Sequence, residues 1–224
     1  MSLDFLTNYT GCIFDFDGTI ILSEHVHMKA WEDLADELHL NLPVGFLEHS
    51  VGMSDQQLIK ILARAWDYVL SEDQILERKR RFYMIRCPVE SSVVPGVVDV
   101  IKRLHQRGVP LAIATSSSRE EVLPVLNRLG ISDFFKGVCT VEDITHPKPD
   151  PEIYNCAASR LNMPAKRCVA FEDSMAGVTS ARAAGCGLVT VQTLYSAERL
   201  GPAILSVKDF TDIKLRGLLD TIGH

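Results

Sequence analysis

The stretch Cys12-Ile13-Phe14-Asp15-Phe16-Asp17-Gly18-Thr19 runs an apolar segment straight into two aspartates one residue apart, followed by glycine. An uninterrupted apolar run this short suits a strand buried on both faces. Glycine after the second aspartate allows the backbone to turn sharply. The segment therefore predicts a buried strand, Gly11–Phe16, that delivers carboxylates to a sheet edge.

Four further runs share this character: Val109–Thr115, Gly137–Thr140, Arg167–Phe171 and Gly187–Val191. Amphipathic stretches lie among them, such as Val97–Gln106 before Gly108 and Ser174–Ala184 before Gly185. Glycine just past the last apolar turn is a helix stop signal. Strands alternating with helices imply a parallel sheet, an α/β, Rossmann-like core. The alternation breaks between Ser23 and Cys87, where three helical patterns follow one another: Ser23–Leu40, Ser54–Leu70, and one opened by Ser71 with Gln74 at capping-box spacing. The expected organisation is an α/β core of residues 1–22 and 91–224, with a small helical cap domain, 23–90, inserted after the first strand. Leu22–Glu24 and Glu90–Val94 are its expected hinges.

With 224 residues, 46% hydrophobic and 23% charged, the chain has the composition of a globular protein with a real core. A net charge of −6 argues against nucleic acid or an anionic membrane as partner. The run Arg78-Lys79-Arg80-Arg81 falls inside a helical pattern and reads as a solvated face. Six cysteines are scattered without a CxxC pair or metal-ligand spacing. Several sit in apolar segments and read as small buried hydrophobes, and a reducing compartment fits best. The N-terminal residues lack the features of a signal peptide, so a cytoplasmic location is expected. Nothing in the chain specifies an oligomeric state.

In an open parallel sheet the carboxyl ends of the strands share one edge, where ligands bind. The fold reading therefore gathers Asp15, Asp17, Thr115, Lys148, Glu172 and Asp173 into one crevice. Each piece alone has a plain structural reading. A calcium-binding EF-hand loop starting at Asp15 would need Gly and Glu at its sixth and twelfth positions, which are Ile20 and Val26. Ser118 and Glu121 have capping-box spacing, Asp150-Pro151 suits a helix start, and Glu172-Asp173 suits the positive end of a helix dipole. Together these readings leave four carboxylates crowded at one edge. A hard divalent cation relieves that repulsion, and Mg²⁺ takes one or two carboxylates, water and a substrate phosphate.

Such a site permits nucleophilic attack by a carboxylate on phosphorus. Two unit negative charges about 3.5 Å apart repel by roughly 5 kcal/mol at an effective dielectric near 20, so the attack needs cations. Mg²⁺ and Lys148 are the candidates. The Thr115 hydroxyl and the backbone N–H groups near Ser116 offer phosphate donors. Asp17 is placed to protonate the leaving oxygen and then to take a proton from water.

Phe14-Asp15-Phe16-Asp17-Gly18-Thr19, Ile113-Ala114-Thr115-Ser116, Lys148-Pro149-Asp150-Pro151 and Phe171-Glu172-Asp173-Ser174 with Ala176-Gly177 resemble, in order, the four motifs of the haloacid dehalogenase-like hydrolase superfamily. The match is to the subgroup of β-phosphoglucomutase and sugar-phosphate phosphatases and covers nearly the whole chain. The resemblance implies Asp15 as nucleophile, Asp17 as acid/base, Thr115 on phosphate and Lys148 as charge neutraliser. It implies Mg²⁺ held by Asp15, the Asp17 carbonyl, Glu172 and Asp173. Ser116, Ser117 and Arg119 are candidate substrate contacts, as are His27 and Lys79 of the cap. Dehalogenase members lack the Asp-x-Asp-Gly-Thr form, which favours phosphoryl over carbon–halogen chemistry.

Two departures bear on activity. Leu22 stands where many members carry an acidic residue. The mutase uses a cap arginine and a Ser-Lys-Asn run for a second phosphate; here the matching segments are Gly52-Met53-Ser54-Asp55-Gln56 and Ser117-Ser118-Arg119. The expected activity is thus a Mg²⁺-dependent phosphatase of small phosphorylated metabolites. A β-phosphoglucomutase-type phosphomutase and a non-catalytic phosphometabolite-binding protein are the alternatives.

Overall fold

The computed structural model of the chain describes residues 9–46, 53–66 and 70–223. Gly52 of the cap segment compared above lies outside them. The chain forms two compact units: one runs to Leu22 and resumes at Val93, the other spans Ser23–Ser92.

The first unit is built on a six-stranded parallel sheet of β1 (Gly11–Phe14), β4 (Leu111–Ala114), β5 (Phe135–Cys139), β6 (Cys168–Glu172), β7 (Gly187–Val191) and β8 (Leu205–Val207). The strand order is β5-β4-β1-β6-β7-β8. β1 is central, with Phe14 in register with Ile113 on one side and Phe171 on the other. After β1 the chain builds outward through β4 and β5, then returns to add β6 on the opposite flank. This reversal is the topological switch point at which α/β sheets bind ligands. The edge strand β8 was not foreseen: three residues, two of them only half-buried, carry too little apolar pattern to read as a strand.

Helices α4 (Val97–Gln106), α5 (Arg119–Arg128), α6 (Glu152–Arg160), α7 (Met175–Ala183), α8 (Ala197–Leu200) and α9 (Ile213–Thr221) complete this unit. The rings of Phe14 and Phe171 stack with centroids 4.5 Å apart, and both side chains are fully buried. Burying each stabilises by about 1.5–3 kcal/mol, directly beneath the strand ends.

The second unit contains α1 (Glu24–Glu37), α2 (Asp55–Ala65) and α3 (Glu72–Glu90). The expected capping box of Ser71 with Gln74 forms, and Ser54 makes a second one with Gln57. Trp31, Leu34, Leu58, Leu62 and Ile75 make its core. Three boundaries differ from the sequence reading: the first helix already ends at Glu37, short of Leu40. The second helix stops at Ala65 because Trp66 turns extended and its indole N–H reaches the Asn41 carbonyl at 2.7 Å. The third continues to Glu90, with Pro88 in its last turns. Short strands β2 (Ile21–Leu22) and β3 (Ser92–Val93) pair as the chain leaves and re-enters the first unit.

Among the cysteines, Cys12, Cys87 and Cys168 are free and buried, as expected of small apolar residues. Cys139 and Cys156 are instead joined in a disulfide across 17 residues, which corrects the reading of six separate thiols. The end of β5 and the inner side of α6 lie together only in the folded chain, and the spacing of the two residues gives no hint of it. No helix among the described residues is long and apolar enough to cross a membrane.

Candidate active site

Four of the sequence-derived residues converge at the carboxyl ends of β1, β4 and β6. Lys148 Nζ donates to Asp15 Oδ1 at 2.6 Å, to Glu172 Oε1 at 2.6 Å and to the Ala114 carbonyl at 3.1 Å. An ammonium has three protons, and all three are used. Asp15, Glu172 and Asp173 each offer an oxygen within 4.8 Å of one another, and all three residues are buried.

Backbone geometry places each group. Asp15 follows β1, and its N–H donates to the Phe171 carbonyl at 3.0 Å. Gly18 turns the chain with φ +75°; a Cβ there would sit 1.8 Å from Asp173 Oδ2. Glycine is thus required at this position by both conformation and space. Glu172 ends β6 with no exposure, and its Oε2 accepts the Asp173 and Ser174 N–H groups and the Ser174 hydroxyl, each at 3.1 Å. The absent Cβ of Gly177 makes room for that carboxylate, since one would fall 1.7 Å from Oε1. Lys148 lies in the loop between β5 and α6, before a cis peptide bond to Pro149.

Three buried carboxylates face one ammonium, which leaves excess negative charge. Burial, and then repulsion from Glu172, hold Asp15 well above the usual carboxylate range, against the pull of Lys148. Burial, Asp15 and Glu172 raise Asp173 in the same way. Burial disfavours the Lys148 ammonium, but the two facing carboxylates outweigh it and keep the amine charged. An all-oxygen cluster with uncompensated charge fits a hard divalent cation, so the donor set is compatible with Mg²⁺.

Thr115 follows β4, is buried, and its N–H donates to the Cys139 carbonyl at 3.0 Å. Its Oγ1 accepts the Ser117 N–H at 3.0 Å and keeps its own proton to donate. Ser116 is half-buried beside it. The Ser117 hydroxyl donates to Asp17 Oδ2 and so orients that carboxylate. Arg119 turns elsewhere: its guanidinium pairs with Asp143 at 2.6 Å and reaches the Thr140 hydroxyl and the Val138 carbonyl.

In the helical unit, Lys79 is fully buried, 2.6 Å from His27 Nδ1 and 2.7 Å from Asp55 Oδ2. The Trp31 indole N–H donates to Asp55 Oδ1 at 3.2 Å, and His27 stacks on Tyr83. Burial works against the Asp55 carboxylate, but Lys79 and His27 prevail and hold it below its ordinary range. Lys79 therefore leaves the basic run that surrounds it; it is an interior ion-pair partner rather than part of a solvated face.

Two residues with polar contacts at the site, Tyr154 and Thr193, escaped the sequence reading. The Tyr154 hydroxyl donates to Glu172 Oε1 at 2.8 Å. The Thr193 hydroxyl lies 2.6 Å from the Gly18 carbonyl and 3.1 Å from Asp173 Oδ2. Thr193 follows β7 at the same sheet edge, so the rule that found the other groups reaches it two residues past Val191. Tyr154 had no such signal, being one apolar-facing residue on an amphipathic helix.

The haloacid dehalogenase-like hydrolase model matches residues 9–185. A validoxylamine A 7′-phosphate phosphatase of Streptomyces hygroscopicus subsp. limoneus is 29% identical over 216 residues, 92% of this chain and 96% of that protein. A fructose-1-phosphate phosphatase of Escherichia coli K12 is 30% identical over 187 residues, 83% of this chain and 98% of that protein. The solved structure of β-phosphoglucomutase from Clostridium difficile superposes with a TM-score of 0.81 at 26% identity, covering 95% of this chain and 96% of its own. With the ordered motifs assembled around Asp15 and Lys148, these likenesses mean that the chain belongs to the haloacid dehalogenase-like hydrolase family.

Proposed function

We propose that this protein is a Mg²⁺-dependent cytoplasmic phosphatase of small phosphorylated metabolites, sugar phosphates among them, acting through a phospho-aspartate on Asp15. The observation that carries the reading is Lys148, whose ammonium bridges Asp15 and Glu172 in a buried cluster. A nucleophilic carboxylate can approach a phosphate dianion only where such charge is supplied.

The Asp15 carboxylate attacks phosphorus, and the bond from phosphorus to the ester oxygen breaks. The leaving oxygen takes a proton from Asp17, which the Ser117 hydroxyl orients. Water then attacks phosphorus of the acyl-phosphate and gives its proton to Asp17, which frees Asp15 and inorganic phosphate. Thr115, Ser116 and Ser117 line the phosphate side, and Lys148 offsets its charge throughout. Asp15, Glu172, Asp173 and the Asp17 carbonyl would hold Mg²⁺, which when bound neutralises the phosphoryl oxygens. Of the other candidates for substrate recognition His27 is retained, whereas Lys79 is buried against Asp55 and Arg119 is paired with Asp143.

Hydrolysis is favoured over mutase chemistry because a mutase must hold a second phosphate. Arg119, the cation nearest that role in sequence, is engaged with Asp143. A purely binding role is disfavoured by the intact nucleophile, acid and lysine. The test is a panel of phosphorylated metabolites assayed for phosphate release with Mg²⁺. It includes β-glucose 1-phosphate with catalytic glucose 1,6-bisphosphate, followed for both glucose 6-phosphate and phosphate. Phosphate release is expected. Efficient glucose 6-phosphate formation with little free phosphate would establish the mutase, and no turnover of any compound would establish the binder.

A further inference from the structure

We propose that Tyr154, on α6, is a positioning residue for phosphoryl transfer: its hydroxyl holds Glu172 Oε1 so that Lys148 can exchange Glu172 for substrate phosphate. The kinetic part of this inference rests on the phosphatase reading; the structural part does not.

Glu172 accepts five hydrogen bonds, and they divide unequally between its oxygens. Oε2 is held by two backbone N–H groups and the Ser174 hydroxyl, none of which needs to move. Among the described residues, Oε1 is held by Lys148 Nζ at 2.6 Å and Tyr154 Oη at 2.8 Å. Lys148 already gives its three protons to Asp15, Glu172 and the Ala114 carbonyl. To meet a phosphate oxygen it must release one of them. Releasing Asp15 would undo the alignment of nucleophile and cation, and releasing the Ala114 carbonyl would take the Lys148 donor from a buried backbone acceptor. Releasing Glu172 keeps that alignment but takes one donor from a fully buried carboxylate oxygen.

A buried acceptor with no partner carries its full desolvation cost. The carboxylate does not turn to find another donor, because the three bonds to Oε2 fix its orientation. Tyr154 is the group that stays: its ring is fully buried in the apolar layer with Ile153, Ala157 and Leu161, and Lys148 Nζ lies 5.3 Å from its centroid. A core aromatic at this place needs no hydroxyl for packing, yet the hydroxyl is present and aimed at the one oxygen that Lys148 must vacate. Without it, Glu172 retains Lys148 more tightly and the ammonium is less available to the transition state.

The experiment is Tyr154→Phe, which keeps the ring. Two readouts are needed: steady-state kinetics on a phosphomonoester with Mg²⁺, and the ¹⁵N–¹H signal of the Lys148 ammonium in metal-free protein, assigned by its loss in K148M. The expected result is kcat reduced roughly tenfold, the loss of one hydrogen bond's worth of transition-state stabilisation. KM should change far less, and the Lys148 signal should shift. Unchanged kcat together with an unmoved signal overturns the proposal. An inactive wild type defeats the phosphatase reading, and the ammonium signal then decides the role of Tyr154 alone. If Y154F does not fold, 3-fluorotyrosine incorporation replaces it; the more acidic phenol bonds Glu172 more strongly and must move the Lys148 signal, and an unmoved signal again overturns the proposal.

Discussion

Lys148 Nζ and Asp15 Oδ1 stand 2.6 Å apart although 133 positions separate them along the chain. The contact joins the loop before α6 to the end of β1, and both groups are buried. The pairing depends on the β4–β5 flank, which carries the loop back to the sheet edge. Once formed, it places a fixed cation beside the carboxylate that the site needs as nucleophile.

Replacing that nucleophile tests the chemistry directly. Asp15→Asn should lower phosphate release by roughly a thousandfold or more while leaving the circular dichroism spectrum unchanged, because an amide cannot form the acyl-phosphate. Near wild-type turnover, with deamidation excluded by mass spectrometry, would remove the covalent route.

The crowded carboxylates also predict how stability depends on pH. Asp15 and Asp173 are held above their unfolded value of 3.8, so the folded state binds more protons than the unfolded one. The stability these groups contribute is present below that value and is lost as pH rises through their folded values. In chelator, this contribution should therefore decline as pH rises from 4 toward neutrality (~3 units), and Mg²⁺ should restore more stability at neutral pH than at low pH. Thermal unfolding across pH, with and without Mg²⁺, measures it. Equal Mg²⁺ stabilisation at both ends would contradict the assignment of the cluster as the metal site.

Gly177→Ala should be far more damaging than an ordinary substitution on a helix. Its Cβ would lie 1.7 Å from Glu172 Oε1, so the carboxylate must move and take Lys148 with it. A shift of about 1 Å at such a site costs on the order of a hundredfold in kcat/KM. Overpacking should cost about 1–3 kcal/mol in stability. Activity within a few-fold of wild type would show that the position of Glu172 does not matter.

Lys79→Met should destabilise the helical unit by about 2 kcal/mol, less than the 3–5 typical of a broken buried pair because Asp55 is one-quarter exposed. Asp55 would then lose the partner that keeps it ionised, and Asp55→Asn in the same background should recover part of the loss. Urea unfolding of the single and double variants checks both statements.

Much of the molecule can be read along the chain because its signals are local. Apolar runs, helix stops and capping boxes depend on residues within a turn or two, and Ser71–Gln74 and Ser118–Glu121 both close as their spacing predicts. The gathering of Asp15, Lys148, Glu172 and Asp173 was also legible, because parallel strands send all their carboxyl ends to one edge. What folding alone decided is which atom meets which. Lys79 sits in a run of four cations, and only helix packing turns it inward to Asp55 and His27. Cys139 and Cys156 meet because β5 and α6 are neighbours in space. Tyr154 is one more core aromatic until α6 packs against the sheet and its hydroxyl finds Glu172. Burial of this kind depends on the distances between elements, which no local pattern of residues encodes, and it is burial that turns an ordinary hydroxyl, thiol or ammonium into a specific partner.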